Sequence, residues 1–189
     1  MAWEPPYVSE TDLAEYLRVD DDVDAPEMSL AVVAASRAVD AHCRRQFGQH
    51  EAPEPVQLIP RHIGGTAYVL DIPDLMNTVG LLIDGVAPDP TPLLYPLSAA
   101  HRGHPWTRMA YPGWRPEVVT VTAQWGWSSV PETVEQATLL QAARFFKRRD
   151  APFGVAGSPE SGTEMRLLSK VDPDVALLLR PLQRRAIPR

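Results

Sequence analysis

Residues 125–149 read WGWSSVPETVEQATLLQAARFFKRR and carry the plainest structural signal in the chain. Pro131 suits the first turn of a helix, where its missing N–H loses no partner, and Ser129 before it is a candidate cap. Acidic residues follow this start and basic residues close the segment, as the helix dipole favours. Residues 139–146 are apolar around most of the helix circumference. The stretch therefore predicts a helix at the centre of a hydrophobic core.

Two more helices are predicted before this one. Ser9 and Asp12 have the spacing of a capping box, which indicates a helix over about 9–18. Apolar side chains then recur every three or four residues over about 26–47, which predicts a second helix that ends at Gly48. Further apolar positions widen that stripe, so the second helix is expected to pack on more than one side: Leu30, Val33, Ala34 and Ala38.

The helical period disappears after Pro53, and β-prone runs bounded by turn residues replace it. These runs predict three strands, at 67–70, 79–83 and 118–123. Asp84-Gly85 has the composition of a two-residue hairpin turn. The region 88–116 is rich in proline and aromatic residues and predicts a long loop or an irregular hairpin, and loops of that length usually serve a function.

A last helix is predicted from Asp172-Pro173, a capping carboxylate followed by proline at the first helical position, to a stop at Pro181. The predicted fold class is α+β, a mainly helical core of about four helices with a β-rich insertion between the second and third. The predicted division has three parts: 1–55, the N-terminal helices of the core; 56–127, the β-rich insertion; and 128–189, the C-terminal helices, loop and tail of the same core.

Composition narrows the class of protein. A chain of 189 residues with 44% hydrophobic and 22% charged residues can bury a core and resembles a globular domain. No apolar run approaches the roughly 18 residues of a membrane helix, and residues 1–10 lack a signal-peptide pattern. We therefore expect no association with a membrane, and we expect synthesis in the cytoplasm of whatever cell makes the protein. The formal net charge of −6 argues against tight binding of nucleic acid through its phosphates. It does not exclude a channel through which DNA moves, because acidic surfaces repel the phosphate backbone and leave DNA loosely held.

No pattern of catalytic or metal-binding residues emerges. The segment 157–164 nearly has P-loop spacing, but Glu164 stands where that motif needs Ser or Thr, and its charge would repel phosphate. His101 and His104 lack a third ligand, and Cys43, the single cysteine, lies on an apolar helical stripe. The sequence predicts a protein that is not an enzyme and binds neither cofactor nor metal.

Aromatic residues are concentrated between positions 106 and 127. Tryptophan and tyrosine bury a large area at a small entropic cost, and both are enriched at protein interfaces. Part of this set is expected in the core, and for any single member a core position is the first expectation: Trp106, Tyr111, Trp114, Trp125 and Trp127. The members that fall in the predicted loop are interpreted as an intersubunit contact: Trp106, Tyr111 and Trp114.

Taken in order, these segments resemble the head-to-tail connector proteins of tailed phages, also called adaptor or head-completion proteins. Four segments carry the resemblance: 7–17, with YVS and YL; 34–47, with AASRAVD and CRRQF; 125–157, from WGW to GVAG; and 172–181, with DPDV and LL. The third is the most distinctive. Together they span nearly the whole chain, and the β-rich middle is longer than in compact helical members of that family.

The resemblance implies a four-helix core with a β-containing insertion, and about twelve copies in a ring under the portal. Such a ring joins head to tail around the DNA exit channel. The implied partners are further copies of the chain, the portal protein, the next neck ring or a tail-completion protein, and genomic DNA that passes without sequence-specific binding. The implied location is the virion, at the head–tail junction.

Two sets of residues are expected to make these contacts. The basic C-terminal end is expected to dock on an acidic portal surface through Arg180, Arg184, Arg185 and Arg189. The segment 151–170 is expected to line the channel or reach a neighbouring subunit, because such loops often order only on assembly. Its candidate residues are Phe153, Glu160 and Glu164.

Two other interpretations stay open from the sequence. The first is another neck component, such as a stopper or a tail-completion protein; the helix pair before the β-rich region and the Asp-Pro helix favour the connector over it. The second is a cytosolic enzyme or ligand-binding domain with a site in the tryptophan-rich loop. A bound ligand or a closed pocket would favour that class, and the missing catalytic motifs argue against it.

Overall fold

The structure is a computed structural model that describes residues 5–19, 21–64, 67–115, 117–148, 155–156, 165–166 and 171–184. The chain divides into two compact units. The helical unit comprises 1–46 and 130–189, and the β unit comprises 47–129. The predicted α+β fold, with a strand-rich region between the second and third helices, is confirmed. The three-part division at 55/56 and 127/128 stays a prediction.

The helical unit contains α1 (Glu10–Leu17), α2 (Asp21–Cys43), α3 (Glu132–Lys147) and α4 (Pro173–Leu179). A 3-10 turn, Arg180–Leu182, follows α4, so the predicted stop at Pro181 is confirmed to within two residues. Two short strands also fall in this part of the chain: β8 (Val155–Ala156) pairs antiparallel with β9 (Met165–Arg166). Phe153, Glu160 and Glu164 lie outside the described residues.

The predicted capping box of α1 is confirmed. The backbone N–H of Asp12 donates to Ser9 Oγ at 3.0 Å, and the Asp12 carboxylate accepts from the Ser9 backbone N–H at 2.7 Å. The segment before the cap is held against α2, where the Tyr7 backbone N–H donates to Ser36 Oγ and the Tyr7 hydroxyl donates to Asp40. These bonds fix the angle at which the chain enters α1.

The bounds of α2 differ from the prediction. The helix begins at Asp21 and carries Pro26 inside it, and it ends at Cys43, ahead of the predicted stop at Gly48. Arg44 has a φ of 56°, in the left-handed region. A residue in that conformation cannot continue a right-handed helix, so the backbone of Arg44 ends α2 before the glycine is reached.

The core of the helical unit lies between α1, α2 and α3, as the apolar period predicted. Met28 and Ala35 of α2 are fully buried, and small residues on α3, such as Ala142, allow the two helices to approach closely. The prediction that Ser129 caps α3 was wrong. Pro131 takes the N-cap position with extended backbone and without a side-chain cap, because its fixed φ suits a helix entry.

The β unit contains two antiparallel sheets, and their strands share one core. The first has the order β1-β7-β4, with β1 (Glu54–Leu58), β4 (Leu82–Ile83) and β7 (Val119–Ala123). The second has the order β2-β3-β6-β5, with β2 (Arg61–Gly64), β3 (Ala67–Leu75), β5 (Leu93–Tyr95) and β6 (Trp106–Ala110). The predicted strands at 67–70 and 118–123 are confirmed. The one at 79–83 shrinks to two residues, and 88–116 is an irregular hairpin of β5 and β6.

The two ends of the β unit are joined to each other. The Trp127 backbone N–H donates to Gly48 O at 2.8 Å, and the Gly126 N–H donates to Asp74 O at 2.7 Å. The Trp127 indole packs 5.2 Å from the Phe47 ring and donates to the Asp74 carboxylate at 2.9 Å. Gly126 has a φ of +106°, and a Cβ there would lie 2.0 Å from Gly48 O. Only glycine fits this crossing of the two chain ends.

Candidate interaction surfaces

An open groove of about 250 Å³ lies at one side of the β unit. We call it the aromatic groove, and its main lining residues are Ile83, Asp84, Val86, Pro88, Tyr111 and Trp114. The rings of Tyr111 and Trp114 are 6.0 Å apart and tilted by 50°. Two of the three predicted contact aromatics therefore meet here. Trp106, on β6, does not line the groove. All three side chains are partly buried against the core of the two sheets.

A tight turn builds one wall of the aromatic groove. Asp84 and Gly85 have φ values of 49° and 82°, and Ile83 bridges Val86 across them. Positive φ at both central residues is the geometry of a type I′ hairpin turn, so the predicted turn is confirmed. Asp84 Oδ1 accepts from the Thr120 N–H at 2.8 Å. This bond anchors the turn to β7 and leaves the Asp84 charge at the groove.

The opposite wall is anchored by a tyrosine. The Tyr111 hydroxyl donates to Asp89 O at 2.9 Å, which ties the segment after β6 to the segment after the turn. Val86, at the rim, is 68% exposed. The groove therefore exposes polar and apolar surface in similar proportion, with Asp84 as its charged lining residue. Its two walls come from segments more than twenty residues apart in sequence.

A second apolar surface lies on α2. Leu30 is 72% exposed and Val33 is 46% exposed, and Ala34 and Ala41 continue the exposed face along the helix. The apolar pattern predicted packing on more than one side. In the single chain the face with Met28 and Ala35 is buried, and the face with Leu30 is not. A helix that is apolar on two faces normally has both of them covered.

The third surface is basic and lies where α2 and the 3-10 turn end. The Arg184 backbone N–H donates to Cys43 O at 2.8 Å, and the side chains of Gln183 and His42 approach to 2.8 Å. Arg180 is exposed nearby along the same turn, and Arg44 is exposed at the end of α2. Of the predicted portal-binding residues, Arg180 and Arg184 are described here, while Arg185 and Arg189 lie outside the described residues. Arg44 was missed, since its position suggested only a helix-dipole role.

A cleft of about 580 Å³ between α1 and α3 was not foreseen from the sequence. Its acidic residues are Asp12, Glu15 and Glu135. Hydrogen bonds from the Ser9 backbone N–H and then from the Ser9 hydroxyl lower the pKa of Asp12 below its ordinary value. The three carboxylates come from two helices far apart in the chain, so no spacing rule would have grouped them.

The described residues offer little for catalysis. Burial raises the pKa of Cys43 to about 12, so its thiol stays protonated near neutral pH and is a poor nucleophile. Within the described ranges, no three His, Cys, Asp or Glu side chains come close enough to hold a metal ion. Among the helices of those same ranges, none has the length and apolar character to cross a membrane.

Comparisons with known proteins give a match among solved structures. No family model matches the chain, and no curated protein matches it. A solved structure does match, a chain from the neck of an empty GTA particle computed with C6 symmetry. The two chains are 17% identical, with a TM-score of 0.58, over 100% of this chain and 95% of that chain. At this identity the likeness shows a shared fold along nearly the full length of both.

Proposed function

We propose that this protein is a structural component of the neck of a phage-like particle, and within the neck the head-to-tail connector. In this role it forms a ring under the portal, joins capsid to tail and surrounds the DNA exit channel. The observation that carries the proposal is the fold shared, end to end, with a neck chain. The order of two helices, a β-rich insertion and two further helices supports it independently of sequence identity.

The exposed surfaces suit a protein that works by assembly. A closed ring needs two different surfaces on each copy, because every contact is head-to-tail. The apolar face of α2, with Leu30 and Val33, and the aromatic groove are exposed surfaces available for such contacts. We propose a ring of about twelve copies, a number compatible with the sixfold symmetry of the matching neck. Trp106, Tyr111 and Trp114 are proposed as residues of the intersubunit contacts.

The basic surface at the end of α2 is proposed to dock on the portal. Arg180 and Arg184 are the described members, and Arg185 and Arg189 extend the same run of charge in the sequence. Clustered guanidinium groups suit an acidic partner surface, where they pair with carboxylates. The opposite side of the ring would meet the next neck ring or a tail-completion protein.

The net charge of the chain supports the channel role. A charge of −6 repels the phosphate backbone, so DNA would pass through the ring without sequence-specific binding. We propose that Phe153, Glu160 and Glu164 face the channel or a neighbouring subunit. The proposed location is the virion, at the head–tail junction, and the proposed role is structural rather than catalytic.

The test is the particle mass of the purified protein, with electron microscopy, alone and mixed with the portal of its own phage. We expect rings of about twelve copies seated on the portal. Subunits that ignore the portal and bind a tail-side component would indicate another neck position, a stopper or tail-completion protein. Monomers that bind neither would exclude a neck role and turn attention to a ligand in the aromatic groove.

Portal docking is tested by charge removal at the basic surface. Arg180→Ala with Arg184→Ala should lower portal affinity about tenfold or more, because two charge-assisted contacts are lost. Arg102→Ala, at an exposed arginine of the β unit, is the matched control and should bind normally. Equal binding by both variants would exclude the basic surface as the docking site.

Truncation after Leu182 should leave the fold intact and impair head joining. It removes the Arg184 N–H bond to Cys43 O, a loss of about 1 kcal/mol, together with the basic residues beyond. Circular dichroism would check the fold, and the yield of infectious particles from complemented phage would check the joining. An unchanged yield would contradict the proposed role of this end of the chain.

A further inference from the structure

The edge strand β2 is an unusually open part of the β unit. It lies at the end of the β2-β3-β6-β5 sheet, and all four of its residues are exposed. Ile63 is 55% exposed, and Ile59, just before the strand, is 63% exposed. Exposed apolar edge strands invite pairing with another chain, so proteins usually cover or blunt them. Two large aliphatic side chains at such an edge suit an interface.

The charges of this edge complement those of the aromatic groove. The segment 59–64 carries Arg61 and His62 and no acidic residue. Among the residues that line the groove, Asp84 is the one that carries a charge. Arg61 Nε lies 3.3 Å from the Asp71 carboxylate on its own sheet. This ion pair holds the guanidinium at the edge and compensates part of its charge.

The apolar parts also match. The aromatic groove offers the rings of Tyr111 and Trp114 and the exposed Val86, and its volume of about 250 Å³ accommodates a branched aliphatic side chain. Aromatic anchors in a preformed pocket are where interface energy concentrates. Ile63 and Val86 belong to different sheets of the β unit. Both side chains are mostly exposed, so one copy can offer the β2 edge and the groove to two neighbours at the same time.

We propose that the β2 edge of one copy, led by Ile63 and Arg61, docks into the aromatic groove of the next copy. This contact is heterologous, with a projection on one subunit and a groove on its neighbour, which is the kind of contact that closes a ring. The inference rests on the proposed ring and assigns the contact between its β units. The partner is a second copy of this chain, which the groove recognises through the aliphatic side chain of Ile63 and the positive charge of Arg61.

Engineered disulfides test the contact directly. Ile63→Cys and Val86→Cys together should give a ladder of linked oligomers under mild oxidation, and a mixture of the two single variants should give linked dimers. A disulfide requires Cα atoms roughly 4.4–6.8 Å apart, so linkage reports contact rather than proximity. Ile63→Cys paired with Val79→Cys is the control, because Val79 is 78% exposed but lies outside the groove. The native Cys43 is buried and stays protonated, so it does not compete.

Two substitutions measure the energy of the contact. Ile63→Ser should raise the concentration for half-assembly about tenfold, because a buried aliphatic side chain is lost at each contact, while Val79→Ser should not change it. Asp84→Asn removes the groove charge and keeps the oxygen that accepts from Thr120. Asparagine also tolerates the positive φ at this position. It should weaken assembly more at low salt than at high salt.

The outcomes separate this inference from the proposed function. Linked oligomers from the Ile63–Val86 pair, and none from the control, support the contact. Rings that form on the portal without this linkage, and that tolerate Ile63→Ser, overturn the inference and leave the connector role intact. A wild-type protein that forms no ring with or without the portal overturns both. If the portal instead blocks labelling of Val86→Cys in the groove, and does so equally in the Ile63→Ser background, the portal occupies the groove. This result would also overturn the inference.

Discussion

The secondary-structure elements of the helical unit and those of the β unit depend on hydrogen bonds of different range along the chain. In the helical unit, α1 is capped by Ser9 and Asp12, three residues apart. In the β unit, the Trp125 indole donates to Glu54 O across 71 positions, and the Trp127 indole reaches Asp74 across 53. The helices can therefore be predicted from residues close together in the sequence. The sheets depend on pairings between residues far apart, which a short segment of sequence does not reveal.

The largest effect is expected where the two ends of the β unit cross. Gly126→Ala should destabilise this unit by more than about 4 kcal/mol, because the new Cβ meets Gly48 O at 2.0 Å and the backbone has to move. Urea unfolding followed by tryptophan fluorescence is the measurement, since the four described tryptophans all lie in the β unit.

Gly103→Ala is the matched control for that prediction. Gly103 also has a positive φ, of +62°, but a Cβ there meets nothing within 4 Å. The expected loss is only the conformational cost of about 1–2 kcal/mol. If the two substitutions cost the same, the crossing of 48 and 126 does not hold the β unit together.

The next effect tests the helical unit alone. Met28→Ala should lower its stability by about 3 kcal/mol, because a fully buried side chain leaves a cavity between α2 and α3. Leu30→Ala, on the exposed face of the same helix, should change stability by less than about 0.5 kcal/mol. Thermal unfolding followed by circular dichroism at the helical band compares them. Similar losses for both would mean that the Leu30 face is covered in the isolated chain.

A smaller effect is expected at the start of α4. Asp172 caps this helix by accepting from the Asp174 N–H at 2.9 Å and pairs with Arg144 at 3.0 Å. Asp172→Ala should cost about 1–2 kcal/mol, mostly from the lost cap. Asp172→Asn keeps the capping oxygen and should cost less, because only the ion pair with Arg144 is lost and such partly exposed pairs contribute little. Denaturant titration distinguishes them, and a reversed order would assign the stability to the ion pair.

The smallest effect is a pH dependence at α1. The pKa of Asp12 in the folded chain lies below 3.8, because the ionised carboxylate accepts the Ser9 N–H and then the Ser9 hydroxyl. Its contribution is therefore complete above pH 3.8 and is lost as the pH falls through the lowered folded value. Asp12→Asn should flatten this part of the stability curve. An unchanged acid dependence of helical content would show that the cap does not titrate with Asp12.

The contact surfaces were only partly predictable. Tyr111 and Trp114 were identified as contact residues because aromatic side chains in a proline-rich segment stand out. Their partners at Asp84 and Val86 were not, since they lie on another segment that only the turn and β7 bring alongside. The strands β1 and β2 were missed, and β5 and β6 were foreseen only as an irregular hairpin. Pro55 interrupts β1, and the apolar residues of β2, β5 and β6 do not alternate regularly.

The amino-acid sequence by itself determined the four helices, their order around a β-rich insertion, and the buried stripe of α2, because helices are stabilised by bonds and side-chain neighbours within four residues. Only the tertiary structure decided where α2 stops, how the two sheets are ordered, and that Tyr111 meets the Asp84 turn. Strand pairing and groove formation join segments tens of residues apart, and the hydrogen bonds and packing that select those pairings exist only once the chain has folded.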